Sequence, residues 1–134
     1  MVELKHMPLL AHMAETTNTI AAGEVMQLVH AGDPDTQADQ YQEIIRRKTA
    51  LLFVAACHGG ALLDNADHHI AEALHDYGMN LGIAFQLADD LLDYAGDPSL
   101  TGKNIGDDLN EGKITLPLLH AMKVGDERDR RIVG

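Results

Sequence analysis

The feature that most constrains this chain is the segment 66–95. Ile70, Leu74, Tyr77, Leu81, Phe85, Leu87, Leu91 and Leu92 recur there near helical spacing, with Asp89, Asp90 and Asp93 set among the last of them. Asn65 or Asp67 can cap its start. The spacing predicts one long helix, apolar over much of its surface. Helices of that kind are normally buried in the middle of a bundle, and 134 residues supply few neighbours to surround one.

The rest of the chain reads as helix and connection, with almost nothing that reads as strand. A first helix is expected over 2–31, ending at Gly32-Asp33-Pro34, with Pro8 either kinking it or marking its regular start. A second is expected over 36–62, capped by Thr36 with Asp39 in the first turn, and weakened near its end by Gly59-Gly60. Residues 96–113 form a glycine-bearing loop too long for a simple connection, the kind that often serves as a lid or binding loop. A short helix over 116–123 follows, with Thr115 as cap and Pro117 in its first turn. The fold class is therefore all-α, a helical bundle, with 1–134 expected to be a single partial domain.

Charge narrows the function. Ten Lys and Arg against 21 Asp and Glu give a net charge of −11, which argues against a nucleic-acid or anionic-membrane binder. A phosphorylated ligand would need metal ions. No apolar run approaches the roughly twenty residues that cross a bilayer. The lone Cys57 cannot form an internal disulfide, so a reducing, cytoplasmic setting is the default expectation.

The chemistry concentrates in Phe85 to Asp93. On a helix, Asp89 and Asp93 lie one turn apart, and Gln86 lies one turn before Asp89 and Asp90. Like charges at that spacing repel, so a compensating cation is expected. Clustered oxygen ligands suit Mg²⁺, which commonly takes a carboxylate or two, phosphate oxygens and several waters. The plain alternative is a solvated acidic face at a helix end. Lys103 and Lys113 bracket the loop that follows, able either to close over a metal-bound diphosphate or to remain solvated among Asp107, Asp108 and Glu111. Lys48-Thr49, ahead of the apolar run 50–56, either snorkels to solvent or points inward at phosphate, and Glu24 and Gln27 in the first helix are similarly ambiguous.

Taken together, Gly23-Glu24-Val25-Met26-Gln27-Leu28, Lys48-Thr49-Ala50, Phe85-Gln86 with Asp89-Asp90-Leu91-Leu92-Asp93, and Gly102-Lys103 to Lys113 with Thr115-Leu116-Pro117-Leu118 resemble, in order and spacing, the trans-isoprenyl (polyprenyl) diphosphate synthase family. The likeness is closest to its bacterial octaprenyl type and covers the chain to about Met122. It implies the all-α isoprenoid synthase fold, a homodimer, and Mg²⁺ bound by Asp89, Asp90 and Asp93. It also implies diphosphate contacts from Lys48, Lys103 and Lys113, with Thr49 and Gln86 lining the reacting site beside Lys48. The implied reaction ionises an allylic diphosphate, lets the double bond of isopentenyl diphosphate attack, and loses a proton to pyrophosphate. Fixed positive charge favours it because negative charge grows on the departing group. The product would be an all-trans polyprenyl diphosphate able to partition into membranes, while the protein itself is not expected to insert.

The departure from the family pattern carries equal weight. A first aspartate-rich motif with paired arginines, which the family places upstream, is not found before Asp89. The chain is therefore expected to be a central-to-C-terminal part of a synthase, inactive alone, whose product length cannot be read. A non-catalytic helical subunit or interaction module that keeps the scaffold is the alternative. The histidines, His68, His69 and His75 among them, read as exposed helix-surface residues, and Cys57 beside His58 as a small buried thiol rather than a nucleophile pair.

Overall fold

A computed structural model describes residues 5–33, 35–97, 99 and 105–128. Among them there is no strand. The elements are α1 (Met7–His30), α2 (Ala38–Ile45), a π-helical turn (Arg46–Ala50), α3 (Leu51–Leu63), α4 (His68–Ala95), α5 (Asp107–Asn110) and α6 (Leu116–Val124).

Pro8 begins α1 rather than kinking it: His6 is the cap, its Nδ1 accepting from the Leu9 N–H at 3.2 Å. The second helix starts at Ala38 with Gln37 as cap, not Thr36, because the Gln40 side chain reaches back to the Gln37 N–H at 2.7 Å. The expected continuous helix over 36–62 is instead broken by the π turn, which contains Lys48 and Thr49. Gly59 and Gly60 do not break α3, which runs through both.

Close backbone approach explains how these pieces pack. A Cβ on Gly82 would lie 2.5 Å from the Ala50 Cα, and one on Gly78 would lie 2.8 Å from the Val54 Cα. The glycine face of α4 therefore presses directly on the π turn and α3. A Cβ on Gly23 would lie 2.8 Å from the Lys48 backbone nitrogen, so α1 touches the same turn from the other side. Ala50, Val54 and Ala55 form the centre of the core, joined by Leu9, Tyr41, Ile44 and Ile45.

The burial of α4 differs from the sequence expectation. Its buried residues are Gly78, Gly82, Asp90 and Asp93, while Ile70, Tyr77, Leu81, Phe85, Leu91 and Leu92 are exposed. The small residues win the inward face because only they permit the observed approach to α3. Gly32 and Gly112, both at positive φ, meet backbone to backbone: the Gly32 N–H donates to the Gly112 carbonyl at 2.8 Å. This contact ties the loop after α5 to the end of α1.

Candidate active site

A cavity of about 210 Å³ opens between α1, α2 with its π turn, the last turns of α4, and the segment between α5 and α6. Gln27 lines it from α1, Tyr41, Lys48 and Thr49 from α2 and the π turn, Gln86, Asp89 and Asp90 from α4, Asp108 from α5 and Lys113 from the segment that follows it. Residues far apart in sequence are brought together here because the glycine contacts fix α1 and α4 against the π turn.

One hydrogen-bond chain crosses the cavity wall. Thr49 donates its hydroxyl to Gln86 Oε1 at 2.9 Å, Gln86 Nε2 donates to Asp90 Oδ1 at 2.7 Å, and the Tyr41 hydroxyl donates to Asp90 Oδ2. Asp90 is 3% exposed. Burial pushes its carboxyl above the ordinary value and the nearby Asp108 and Asp89 add to this, against the hydrogen bonds from Tyr41 and Gln86. Burial and the Asp90 carboxylate together hold the Tyr41 phenol well above its usual range.

Two lysines frame the opening. Lys48 Nζ sits 2.5 Å from Gln27 Oε1 and 2.9 Å from Glu24 Oε2, so both polar residues noted on the first helix turn toward it. Lys113 Nζ lies 3.0 Å from Asp108 Oδ1 and 2.7 Å from Glu111 Oε2. Burial opposes its charge, yet these two carboxylates prevail and hold the ammonium above its ordinary value. Lys103 lies outside the described residues.

Asp93, expected beside Asp89 and Asp90 at a metal, does not line the cavity. It is buried, and its Oδ2 accepts from the Asp108 N–H at 3.2 Å while its carbonyl accepts from the Gly106 N–H at 2.9 Å. Its position anchors the loop that carries Asp108 and Lys113. Among the described residues no group of three His, Cys, Asp or Glu side chains has a metal-holding arrangement. The two carboxylates that do reach the cavity, Asp89 and Asp90, match the one or two that Mg²⁺ commonly takes from protein.

Tyr41 and Asp108 are the residues that sequence reading missed. Asp108 was visible only as one acid of a loop. Tyr41 could have been found from its place seven residues before Lys48, which puts both on one face of a regular helix. The histidines also differ from expectation: His68 and His69 are exposed, but His75 packs edge-on against His58, at 5.9 Å between ring centroids, and His58 against His12 at 4.9 Å. Cys57 is half-buried.

The polyprenyl synthetase family model matches residues 1–134. Octaprenyl diphosphate synthase of Escherichia coli (strain K12) is 47% identical over 133 residues, covering 99% of this chain and 41% of that protein. The all-trans-nonaprenyl-diphosphate synthase (geranyl-diphosphate specific) of Rhodobacter capsulatus is 46% identical over 131 residues, 96% of this chain and 40% of its own length. The crystal structure of a decaprenyl diphosphate synthase from Rhodobacter capsulatus superposes with a TM-score of 0.91 at 43% identity, covering 99% of this chain and 41% of that one. A polyprenyl synthase from Caulobacter crescentus CB15, complexed with calcium and isoprenyl diphosphate, gives 0.89 at 44% identity, covering 99% and 46%. The chain thus spans less than half the length of these relatives and has their all-α fold over nearly all of its own. It belongs to the polyprenyl synthetase family.

Proposed function

We propose that this chain carries the diphosphate-binding half of a Mg²⁺-dependent prenyltransferase site. The reaction condenses an allylic diphosphate with isopentenyl diphosphate to an all-trans, octaprenyl-like diphosphate. The observation that carries this reading is the convergence of Lys48, Thr49, Gln86, Asp89, Asp90 and Lys113 on one cavity. Asp89 and Asp90 would hold Mg²⁺, with Asp93 supporting them through the loop. When bound, the metal supplies charge that offsets the diphosphate.

The chain's own residues do the rest. Lys48 and Lys113 exchange their present carboxylate partners for phosphate oxygens, and Lys103 joins them from the same loop. Their fixed charge acts most strongly as the diphosphate departs and gains negative charge. The Thr49 hydroxyl, its proton given to the Gln86 carbonyl, turns its oxygen lone pairs toward the carbon that becomes cationic, and Gln86 holds it in that orientation. With one of two aspartate-rich motifs, the isolated chain is proposed not to turn over. The full site is proposed to work as a homodimer in the cytoplasm, releasing a product that enters membranes. No helix among the described residues is long and apolar enough to cross one.

Calorimetry with a non-hydrolysable bisphosphonate tests the site. Binding by the wild-type chain that requires Mg²⁺ and is lost in Asp89→Ala is expected, whereas Mg²⁺-independent or absent binding overturns the reading. Incubation with an allylic primer and isopentenyl diphosphate is expected to give no elongation. Elongation by the chain alone would refute the proposed dependence on a second motif.

A further inference from the structure

We propose that Tyr41 is a positioning residue for this site, holding Asp90 so that the polarity of the Asp90–Gln86–Thr49 chain is set in one direction. The proposal rests on the prenyltransferase reading above for its functional consequence, but its structural part stands on geometry alone.

Tyr41 is 4% exposed, on the short helix α2, and its hydroxyl donates to Asp90 Oδ2 across 49 positions of sequence. Asp90 Oδ1 is taken by Gln86 Nε2, one turn earlier on α4, and Gln86 Oε1 is taken by the Thr49 hydroxyl on the π turn. The chain thus runs from α2 through two groups on α4 to the turn that continues α2. An ionised carboxylate only accepts hydrogen bonds, so Gln86 must offer Asp90 its amide nitrogen and turn its carbonyl to Thr49. Thr49 must then spend its proton on that carbonyl, which leaves its oxygen lone pairs for the cavity it lines. A lone pair facing the cavity stabilises developing positive charge there, and a proton facing it would not.

Without the Tyr41 hydroxyl, one oxygen of a nearly buried carboxylate has lost its donor. Asp90 would rotate to find another, and the Gln86 amide would be free to turn over. Chains of side-chain hydrogen bonds anchored on buried groups act as units, and the group at the end of the chain can decide the state of the rest. Partners that orient a metal-binding carboxylate typically matter by 10–100-fold in metal affinity. A tyrosine present only to fill space would be replaced by phenylalanine with no effect on Gln86 or Thr49.

The test compares the wild-type chain with Tyr41→Phe, which keeps the ring and removes the hydroxyl. In ¹⁵N-labelled protein the Gln86 side-chain amide, assigned by its loss in Gln86→Glu, is expected to exchange slowly with solvent. In Tyr41→Phe it is expected to exchange at least roughly tenfold faster, while the Gln40 amide is unchanged. An unaltered Gln86 amide overturns the proposal. If Tyr41→Phe loses its helical circular dichroism, the wild-type chain decides alone. A protected Tyr41 hydroxyl proton with a cross-relaxation contact to the Gln86 amide supports the proposal, and its absence overturns it. Titration with Mg²⁺ and methylenediphosphonate supplies the functional arm, where Tyr41→Phe is expected to bind roughly tenfold more weakly. Equal binding by both overturns the link between Tyr41 and the site. If the wild-type chain itself does not bind, the prenyltransferase reading fails, and the amide exchange still decides whether Tyr41 sets the chain.

Discussion

Asp89 and Asp93 occupy the same face of α4 one turn apart, but a carboxylate that lines a cavity and one that receives a backbone N–H have different consequences when removed. Asp93→Ala removes a buried carboxylate and leaves the half-buried Asp108 N–H without its acceptor, and is expected to destabilise the chain by about 1–3 kcal/mol in denaturant unfolding without any metal present. Asp93→Asn keeps an acceptor oxygen and is expected to cost much less. A metal-free loss in Asp89→Ala as large as that in Asp93→Ala would contradict this separation. The acidic motif was legible in sequence because three aspartates among leucines on one helix have no local justification. Their division of labour was not, since it depends on Asp108, fifteen residues further on, folding back. His58 gives a second prediction at this scale. Burial lowers its proton affinity, and the neighbouring His12 and His75 lower it further. The unfolded chain therefore binds more protons as pH falls below the ordinary value of 6.5. The stability associated with neutral His58 is complete above that value and is lost as pH falls through the depressed folded value. Tm is expected to decline from neutrality toward the onset of carboxylate protonation near about pH 4.5, with a shallower decline in His58→Gln. Identical slopes would show that the histidine row does not couple to folding.

At the scale of elements, helical periodicity marked all the long helices, because each buries one face against a neighbour. Two things escaped it. The π turn at 46–50 conforms to no apolar period, since it arises where Gly23 and Gly82 press on it from opposite sides. The inward face of α4 was hidden because its buried residues are two glycines and two aspartates, Gly78, Gly82, Asp90 and Asp93, which a hydrophobic pattern does not count. Glycine therefore has opposite meanings along this chain, and substitution separates them. Gly82→Ala would force a Cβ to within 2.5 Å of the Ala50 Cα, a backbone atom that cannot swing away. It is expected to cost about 1–3 kcal/mol or more, as overpacking does. It should also weaken bisphosphonate binding, because Ala50 adjoins Thr49. Gly60 has open space where a Cβ would sit and no positive φ. Gly60→Ala is expected to stabilise by about 0.5–1 kcal/mol through helix propensity alone. Thermal unfolding of the two variants should shift Tm in opposite directions, and a shared direction would refute the packing account.

Across the whole molecule, the apolar stripe of α4 and the net charge of −11 oppose each other. Ile70, Tyr77, Leu81 and Phe85 fall at spacings of seven, four and four, so they share one face, and Tyr77 and Phe85 are 60% and 54% exposed. Together with Val25, Leu28 and Val29 on α1, they give this chain more bare apolar surface than isolated exposed side chains would. Hydrophobic contact between copies would bury that surface, but each copy carries the same negative charge, and repulsion at low ionic strength holds them apart. The balance should turn on screening. At about 0.01 M salt the Debye length is about 30 Å and repulsion spans much of the molecule, whereas at about 1 M it is about 3 Å. Sedimentation is therefore expected to show a smaller species at low salt and a larger one at high salt. Leu81→Glu, which puts a charge in the middle of the stripe away from the cavity, should suppress the larger species without lowering stability by more than about 0.5 kcal/mol, as for a surface substitution. Association that weakens with added salt would mean that the contact is ionic and that the α4 stripe does not drive it.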